Sequence, residues 1–213
     1  MMDRINRRLK VVMLVLLLMA ALASAVSADG ITLGSGAVAT GNQVYFGTYK
    51  EKTVLWRVLK TGDGKALLLS EYLLDSTQFN PNYTVANANV WQDSTAQSWC
   101  GKFYSDRFTL AEKSAVIQTS KTDAAYRGRY INFRTSSLNG EYIFFLSAEE
   151  AETYFSRDDD SRKAYFEGET NASFWWLRSP AAVYSYFAGV VDGGGCVMCI
   201  DVDGLFGARP ALT

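Results

Sequence analysis

The residues with the most chemical capacity are three thiols, Cys100, Cys196 and Cys199. An odd count leaves at least one thiol free. Cys196 and Cys199 have the spacing of a redox pair, but Gly194-Gly195-Cys196-Val197-Met198-Cys199-Ile200 reads as a strand. Residues three apart on a strand face opposite sides, so a bond between these two requires a turn. Small apolar filler is their expected role, with a disulfide from Cys100 to either left open. The chain has no histidine. That removes Ser-His-Asp and Cys-His nucleophile systems and every metal site built on imidazole. Oxygen-only sites stay open, and Asp158-Asp159-Asp160 could offer carboxylates to a hard cation. Their spacing is not that of an EF-hand, and Arg157 to Lys163 is expected to be a solvated charged loop. Glu149 and Glu150 are neighbours on a helix and point apart, so they are no hydrolase pair. Trp175, Trp176, Arg178 and Arg209 have the composition of a sugar site. They are expected instead to be structural, with an indole in the core and guanidinium groups clamping carbonyls or an acid. No catalytic residue, metal or cofactor is expected, and the chain is not expected to be an enzyme.

The start of the chain places that chemistry. Arg4, Arg7, Arg8 and Lys10 precede an apolar run from Val11 to Ala23, followed by Ala23-Ser24-Ala25 and Val26-Ser27-Ala28. This is the three-part pattern of an export signal, with cleavage expected after Ala28. The run is shorter than the roughly 20 residues a membrane span needs. The protein is therefore expected to be secreted or displayed at the cell surface, meeting the membrane only through this signal. Removal of the signal takes four basic residues and one acid from a chain of net charge −1, so the mature surface is mildly acidic. Such a balance does not fit nucleic-acid binding, which calls for basic patches. No aromatic residue precedes Tyr45, although aromatics are 14% of the chain.

Residues 29–42, rich in Gly, Ser, Ala and Thr, read as a flexible lead-in, and 43–213 as a single domain. Gln43 to Tyr49, Thr53 to Leu59 and Ala66 to Ser70 read as strands of a meander, with a turn at Gly62-Asp63-Gly64. Tyr72 to Asn89 reads as loop. Ser94 caps a helix to about Tyr104 that sets Trp99 and Phe103 on one face. Thr109 to Glu112 is a capping box, as is Ser147 to Glu150, and each opens a helix. Residues 118–140 read as polar and irregular. Tyr142 to Leu146, Phe174 to Arg178, and Phe187 to Val191 with Cys196 to Val202 read as strands, and Gly207 to Leu212 closes the chain. Together they predict an α+β fold, mainly antiparallel, with two to three helices.

Several segments carry a resemblance: Trp56-Arg57-Val58-Leu59, Leu67 to Tyr72, Trp99, Phe103-Tyr104, Phe145-Leu146-Ser147, Glu150-Ala151, Tyr154-Phe155, Trp175-Trp176-Leu177-Arg178-Ser179-Pro180, and Gly207-Ala208-Arg209-Pro210-Ala211-Leu212. Over about 43–212 the chain resembles a bacterial exported domain family of unknown function. Its C-terminal frame is similar in turn to C-type-lectin-like and formylglycine-generating-enzyme-like domains. That likeness implies a C-type-lectin-like architecture in which Val44–Tyr49 pairs with Arg209–Leu212 and a loop-rich face points away. It implies a structural frame of Trp56, Trp99, Trp176, Arg178, Pro180, Arg209 and Pro210. The thiol chemistry of formylglycine formation is not expected, because the spacing of Cys196 and Cys199 departs from that pattern. Lectin-type E-P-N and Q-P-D triplets are absent.

Domains with this frame also occur as the variable proteins of diversity-generating retroelements, which randomise template adenines. The segment 181–206 looks compatible. Ala188, Val190, Gly194, Val197 and Val202 read as fixed. Tyr184, Tyr186, Phe187, Val191, Asp192, Cys196, Met198, Cys199, Asp201, Asp203 and Phe206 read as the ligand-binding set. Alternation on a strand lets one set hold the core while the other differs, and tyrosines offer large contact area at low entropy cost. The expected function is a secreted or surface-displayed ligand-binding module, adhesin- or receptor-like, for an extracellular protein or glycan, with the 75–92 loop as a second contributor. The alternative is a structural or accessory cell-envelope domain in which these are ordinary hairpin residues.

Overall fold

The computed structural model describes residues 38–213. The expected export signal, and the lead-in as far as residue 37, lie outside the described residues. The lead-in ends earlier than residue 42, because Gly41 and Asn42 already exchange hydrogen bonds with Val58 at 2.9 Å. β1 (Gln43–Tyr49), β2 (Lys52–Gly62) and β3 (Lys65–Ser70) then pair antiparallel in sequence order. In β1, Val44 and Phe46 are buried while Gln43 and Tyr45 are exposed, the two-residue period of a half-covered strand. β2 turns into β3 through Asp63-Gly64, whose φ values of +52° and +70° match a two-residue hairpin turn of primed type.

Two five-stranded sheets carry the fold. The first has the order β1-β2-β3-β14-β9, with β14 at Ala211–Leu212 and β9 at Ile143–Phe144. The second has the order β12-β11-β10-β13-β4. Its members are β4 (Asp75–Thr77), β10 (Trp175–Pro180), β11 (Phe187–Val191), β12 (Val197–Asp201) and β13 (Phe206–Ala208). Only β10 with β13 is parallel. Two small ribbons, β5 (Thr119–Asp123) with β8 (Ser136–Glu141) and β6 (Tyr126–Arg127) with β7 (Asn132–Phe133), complete the strands. The helices are α1 (Thr95–Arg107), α2 (Leu110–Ala115), α3 (Ala148–Tyr154) and the single turn α4 (Asp159–Arg162). Ser94 caps α1, and both expected capping boxes are formed, Thr109 with Glu112 and Ser147 with Glu150. The class is α+β and mainly antiparallel, with four short helices among the described residues rather than two or three.

Three expectations are corrected. β1 does not pair with 209–212; β14 inserts between β3 and β9, and β1 stays at the sheet edge. Residues 118–140 are ordered as the two ribbons rather than irregular. Tyr72 to Asn89 contains β4, which is held by β13 and by Leu74 N–H on Ala208 O at 3.0 Å.

The core is one contiguous cluster drawing on both sheets and the helices. Trp56, Trp91, Trp175 and Trp176 are buried within it, and each indole N–H finds an acceptor. These are Phe46 O at 2.6 Å, Glu141 Oε1 at 3.1 Å, Arg162 O at 3.1 Å and Thr77 O at 2.7 Å. A buried donor left unmade would cost about 1–3 kcal/mol. Trp99 stacks on Phe103 along α1, with centroids 5.3 Å apart.

Two buried arginines tie the layers. Arg209 donates from Nε to Ser70 O at 3.0 Å, and from its two amino groups to Arg162 O at 3.4 Å and Glu71 O at 3.3 Å. Its guanidinium lies 4.8 Å from the centre of the Trp175 ring. Arg178 donates to Phe145 O and to Glu150 Oε2, both at 2.6 Å, and pairs with Asp123. Lys121 reaches Glu150 and Asp123 as well, so four charges close on themselves between β5, α3 and β10. Pro180 and Pro210 are also buried.

Candidate functional site

The β11–β12 hairpin is the end strand pair of the second sheet, and it presents two different surfaces at its two ends. At the entry to β11 the chain turns through 182–186. This turn is organised by Asn89, which is fully buried. Its amide N–H₂ donates to Ala181 O at 3.3 Å, Tyr184 O at 2.9 Å and Phe187 O at 2.7 Å. Its carbonyl oxygen accepts from Arg134 at 2.6 Å, and its backbone N–H donates to Ser185 O at 3.0 Å. One amide side chain therefore cross-links three carbonyls of a tight turn, and the turn presents its rings. Tyr184 and Tyr186 stack with centroids 5.4 Å apart, and Phe187 lies edge-on to both at 5.2 and 5.0 Å. Tyr184 is 48% exposed and Val183 58%. The neighbouring loop 80–87 is exposed from Pro81 to Asn87. It leaves from Val202, whose carbonyl accepts from Phe79 and Asn80, and returns at Asn89 beside Ser185. Tyr83 and Val85 stand out from it, 53% and 42% exposed.

At the opposite end the hairpin turn 192–196 docks on α4. The Asp192 carboxylate accepts the N–H groups of Gly194 and Cys196 at 2.8 Å. Gly195 has φ +88°, and a Cβ there would fall 1.7 Å from Asp159 O, so no side chain fits. Its carbonyl accepts from Arg162 Nε at 2.8 Å. The Arg157 to Lys163 run is therefore not the solvated loop its composition indicates. Arg162 is only 1% exposed, and its charge is met by Asp159 and by Glu152 at 3.7 Å. Asp158 caps α4, and Asp160 pairs with Lys163 at 2.6 Å. All three aspartates are thus engaged within the chain, and among the described residues no group of three or more potential metal ligands gathers.

Beside this junction is a cleft of about 460 Å³, lined by Tyr126, Arg127, Gly128, Arg129, Tyr130, Glu152, Arg157, Asp159 and Val197. The guanidinium groups of Arg127, Arg129 and Arg157 were not singled out in the sequence. They sit in a polar stretch without periodicity, and only the fold gathers them.

The expected ligand-binding set divides. Tyr184, Tyr186 and Phe187 form the aromatic end. Asp192 and Cys196 form the docking turn, with Cys196 Sγ 3.7 Å from Asp159. Met198, Cys199 and Asp201 lie along β12, half-buried or exposed, and Asp203 gives its carbonyl to Gln78 at 2.7 Å. Val191 and Phe206 do not belong with the others. Val191 is fully buried opposite Trp175, and Phe206 packs on Trp176 at 5.2 Å and Phe174 at 5.4 Å. All three cysteines are free. Burial pushes each thiol up, Cys100 most strongly, with Glu141, Asp192 and Asp201 adding to the effect at Cys100, Cys196 and Cys199 respectively. That direction favours the protonated, weakly nucleophilic form.

The architecture defines an α+β domain in which the β11–β12 hairpin adjoins both candidate surfaces. The chain matches, over residues 63–213, the model of a family described as a domain of unknown function, DUF6273, and it belongs to that family. No curated protein and no solved structure matches it.

Proposed function

We propose that the protein is an extracytoplasmic ligand-binding module whose contact surface is the aromatic end of the β11–β12 hairpin with the adjoining 80–87 loop. The observation that carries this is the exposed Tyr184 stacked on the half-buried Tyr186, in a turn held by a fully buried asparagine. A protein does not need a buried polar anchor of this kind to leave tyrosines in water. Rigid aromatic rings beside adaptable polar loops are the makeup of a contact surface. A C-type-lectin-like architecture and diversification of 181–206 are finer readings of the same surface. Diversification would have to spare Val191, which fills the core, and Phe206, which packs against it, and act on Tyr184, Tyr186, Asp192, Met198, Cys199 and Asp201. Sequencing the gene's neighbourhood for a template copy of these codons beside a reverse transcriptase tests it.

The binding reading is tested with a Tyr184→Ala/Tyr186→Ala variant on a printed array of host glycans and purified extracellular-matrix proteins. The wild type should be retained on a defined subset, and the variant should lose at least tenfold in retention with an unchanged melting temperature. Equal retention of the two proteins would remove the aromatic end as the contact surface. The structural or accessory reading would then lead, favoured by the burial of Val191 and most of β11 and by the packing of Phe206 on the core.

A further inference from the structure

The cleft at the other end of the hairpin does not depend on the aromatic surface. Its walls come from three separate parts of the chain: the β6–β7 ribbon, the stretch from α3 into α4, and the start of β12. Its floor is charged in an unusual way. Glu152 is only 7% exposed, yet it lines the cleft. Behind it stands Arg162, buried, with one amino group that faces Glu152 at 3.7 Å and has no hydrogen-bond partner. The Glu152 charge is thus balanced from inside the protein by a residue no ligand touches. Its oxygens are left to accept hydrogen bonds from the cleft side.

Around this floor stand exposed cations. Arg129 approaches Asp159 at 3.5 Å while its guanidinium also lies 5.2 Å from the Tyr130 ring centre. Arg157 is carried into the wall by two consecutive non-glycine residues with positive φ, Ser156 at +51° and Arg157 at +58°. Such a pair is unfavourable for side-chain-bearing residues and persists where the surroundings impose it. With Arg127, three exposed arginines line the cleft together with the two carboxylates, and Arg162 adds a fourth positive charge behind them. Tyr130 is 58% exposed, and Tyr126 is half-buried with its phenol pushed up by burial and then by the Glu152 charge, so the Tyr126 ring is a neutral face.

This combination discriminates between anions. A bare sulfate suits the arginines but brings acceptors only, and it would meet Glu152 with nothing to donate; inorganic phosphate brings a hydroxyl but no apolar face for the tyrosines. A ligand that satisfies every wall carries a carboxylate for the arginine fork, hydroxyl donors for Glu152, and an apolar CH face for the tyrosines. We propose that this cleft binds an acidic sugar, a pyranose bearing a carboxylate, with Arg129 and Arg157 on the acid, Glu152 accepting ring hydroxyls, and Tyr130 against the sugar face. The volume, about 460 Å³, lies in the range of small-ligand sites, roughly 300–1,000 Å³, and holds one or two sugar units.

The test is isothermal titration of residues 38–213, supplemented by ligand-observed NMR. The probes are methyl glucuronoside, methyl galacturonoside, their neutral methyl glucoside and galactoside counterparts, inorganic phosphate and glycine. At least one uronoside should bind, with its neutral counterpart at least tenfold weaker and an affinity that falls with added salt. Arg129→Ala/Arg157→Ala changes only exposed side chains and should remove uronoside binding while the melting temperature stays put. Glu152→Gln should weaken the uronoside and leave phosphate unaffected or tighter. Three results would overturn the proposal: no uronoside binding, phosphate or glycine binding as tightly as the uronoside, or uronoside binding that survives the double arginine variant. None of these outcomes bears on the Tyr184–Tyr186 surface, whose own variant is tested separately.

Discussion

At the scale of single residues, buried charge and buried amide groups set the strongest expectations. Glu150 lies in the four-charge cluster with Arg178, Lys121 and Asp123. Burial by itself would raise its carboxyl. The charges of Arg178 and Lys121 and the Ser147 amide outweigh that and hold it below the usual carboxylate range. A carboxyl whose folded value is depressed contributes stability that is fully present above its unfolded value of about 4.3 and lost as pH falls through the folded value. Melting temperature should therefore fall in acid, and Glu150→Gln should flatten that fall. At neutral pH the same change leaves Arg178 without one of its two carboxylate partners and should cost roughly 3 kcal/mol or more, read by urea denaturation. Asn89→Ala removes donors to three carbonyls. It should cost about 1–3 kcal/mol and raise amide exchange across 182–187 while leaving α1 protected. Gly195→Ala places a methyl group on Asp159 O, so its cost should appear as loss of the hairpin–α4 junction, with faster exchange at 192–197.

At the scale of elements, α2 shows how a local cap becomes a tertiary contact. Thr109 accepts the Glu112 N–H at 3.2 Å, while Glu112 accepts the Thr109 N–H at 2.7 Å with one oxygen and the Gly47 N–H of β1 at 3.1 Å with the other. Gly47 itself leaves room for the Phe108 ring, which a Cβ would meet at 2.5 Å. Thr109→Ala should cost about 1 kcal/mol, the usual worth of an N-cap. Glu112→Ala should cost more, because the β1 amide loses its acceptor too, and chemical denaturation of both variants checks the order. Such caps are legible in sequence because their chemistry lies within four residues. The meander is legible for a related reason: β1 alternates and Asp63-Gly64 supplies the turn. The ribbons at 119–141 are not legible. β5 is Thr-Ser-Lys-Thr-Asp, with neither face fully buried, so its partner β8 rather than any apolar period makes it a strand. Arg162 escapes for the opposite reason. Its run of charges looks solvated, and only the distant Gly195 carbonyl, with Asp159 and Glu152, makes burial tolerable.

At the scale of the whole molecule, the family-matched segment begins at residue 63, inside the β2–β3 turn, yet β1 and β2 pack into the same core. Trp56 is fully buried and makes edge contact with Phe103 of α1 at 6.4 Å. A chain of residues 63–213 alone would expose the open edge of β3 and lose Val44, Phe46, Val54, Trp56 and Val58 from the core. It should lack a cooperative thermal transition and near-ultraviolet circular dichroism, whereas 38–213 should show both. The candidate surfaces divide in the same way. The aromatic end could be sensed from residue types along one hairpin, while the arginine cleft draws on three distant segments whose meeting is a property of the fold.

The placement of β13 and β14 bears on how the protein is made. β13 lies between β10 and β4, and β14 between β3 and β9, so residues 206–212 occupy interior positions in both sheets. Neither sheet can close while that stretch is still inside the ribosome. The nascent chain must stay open until residues 206–212 have emerged. A stop codon just before Phe206 would remove both inner strands at once, and its product should be cleared by proteases rather than persist as a shortened fold.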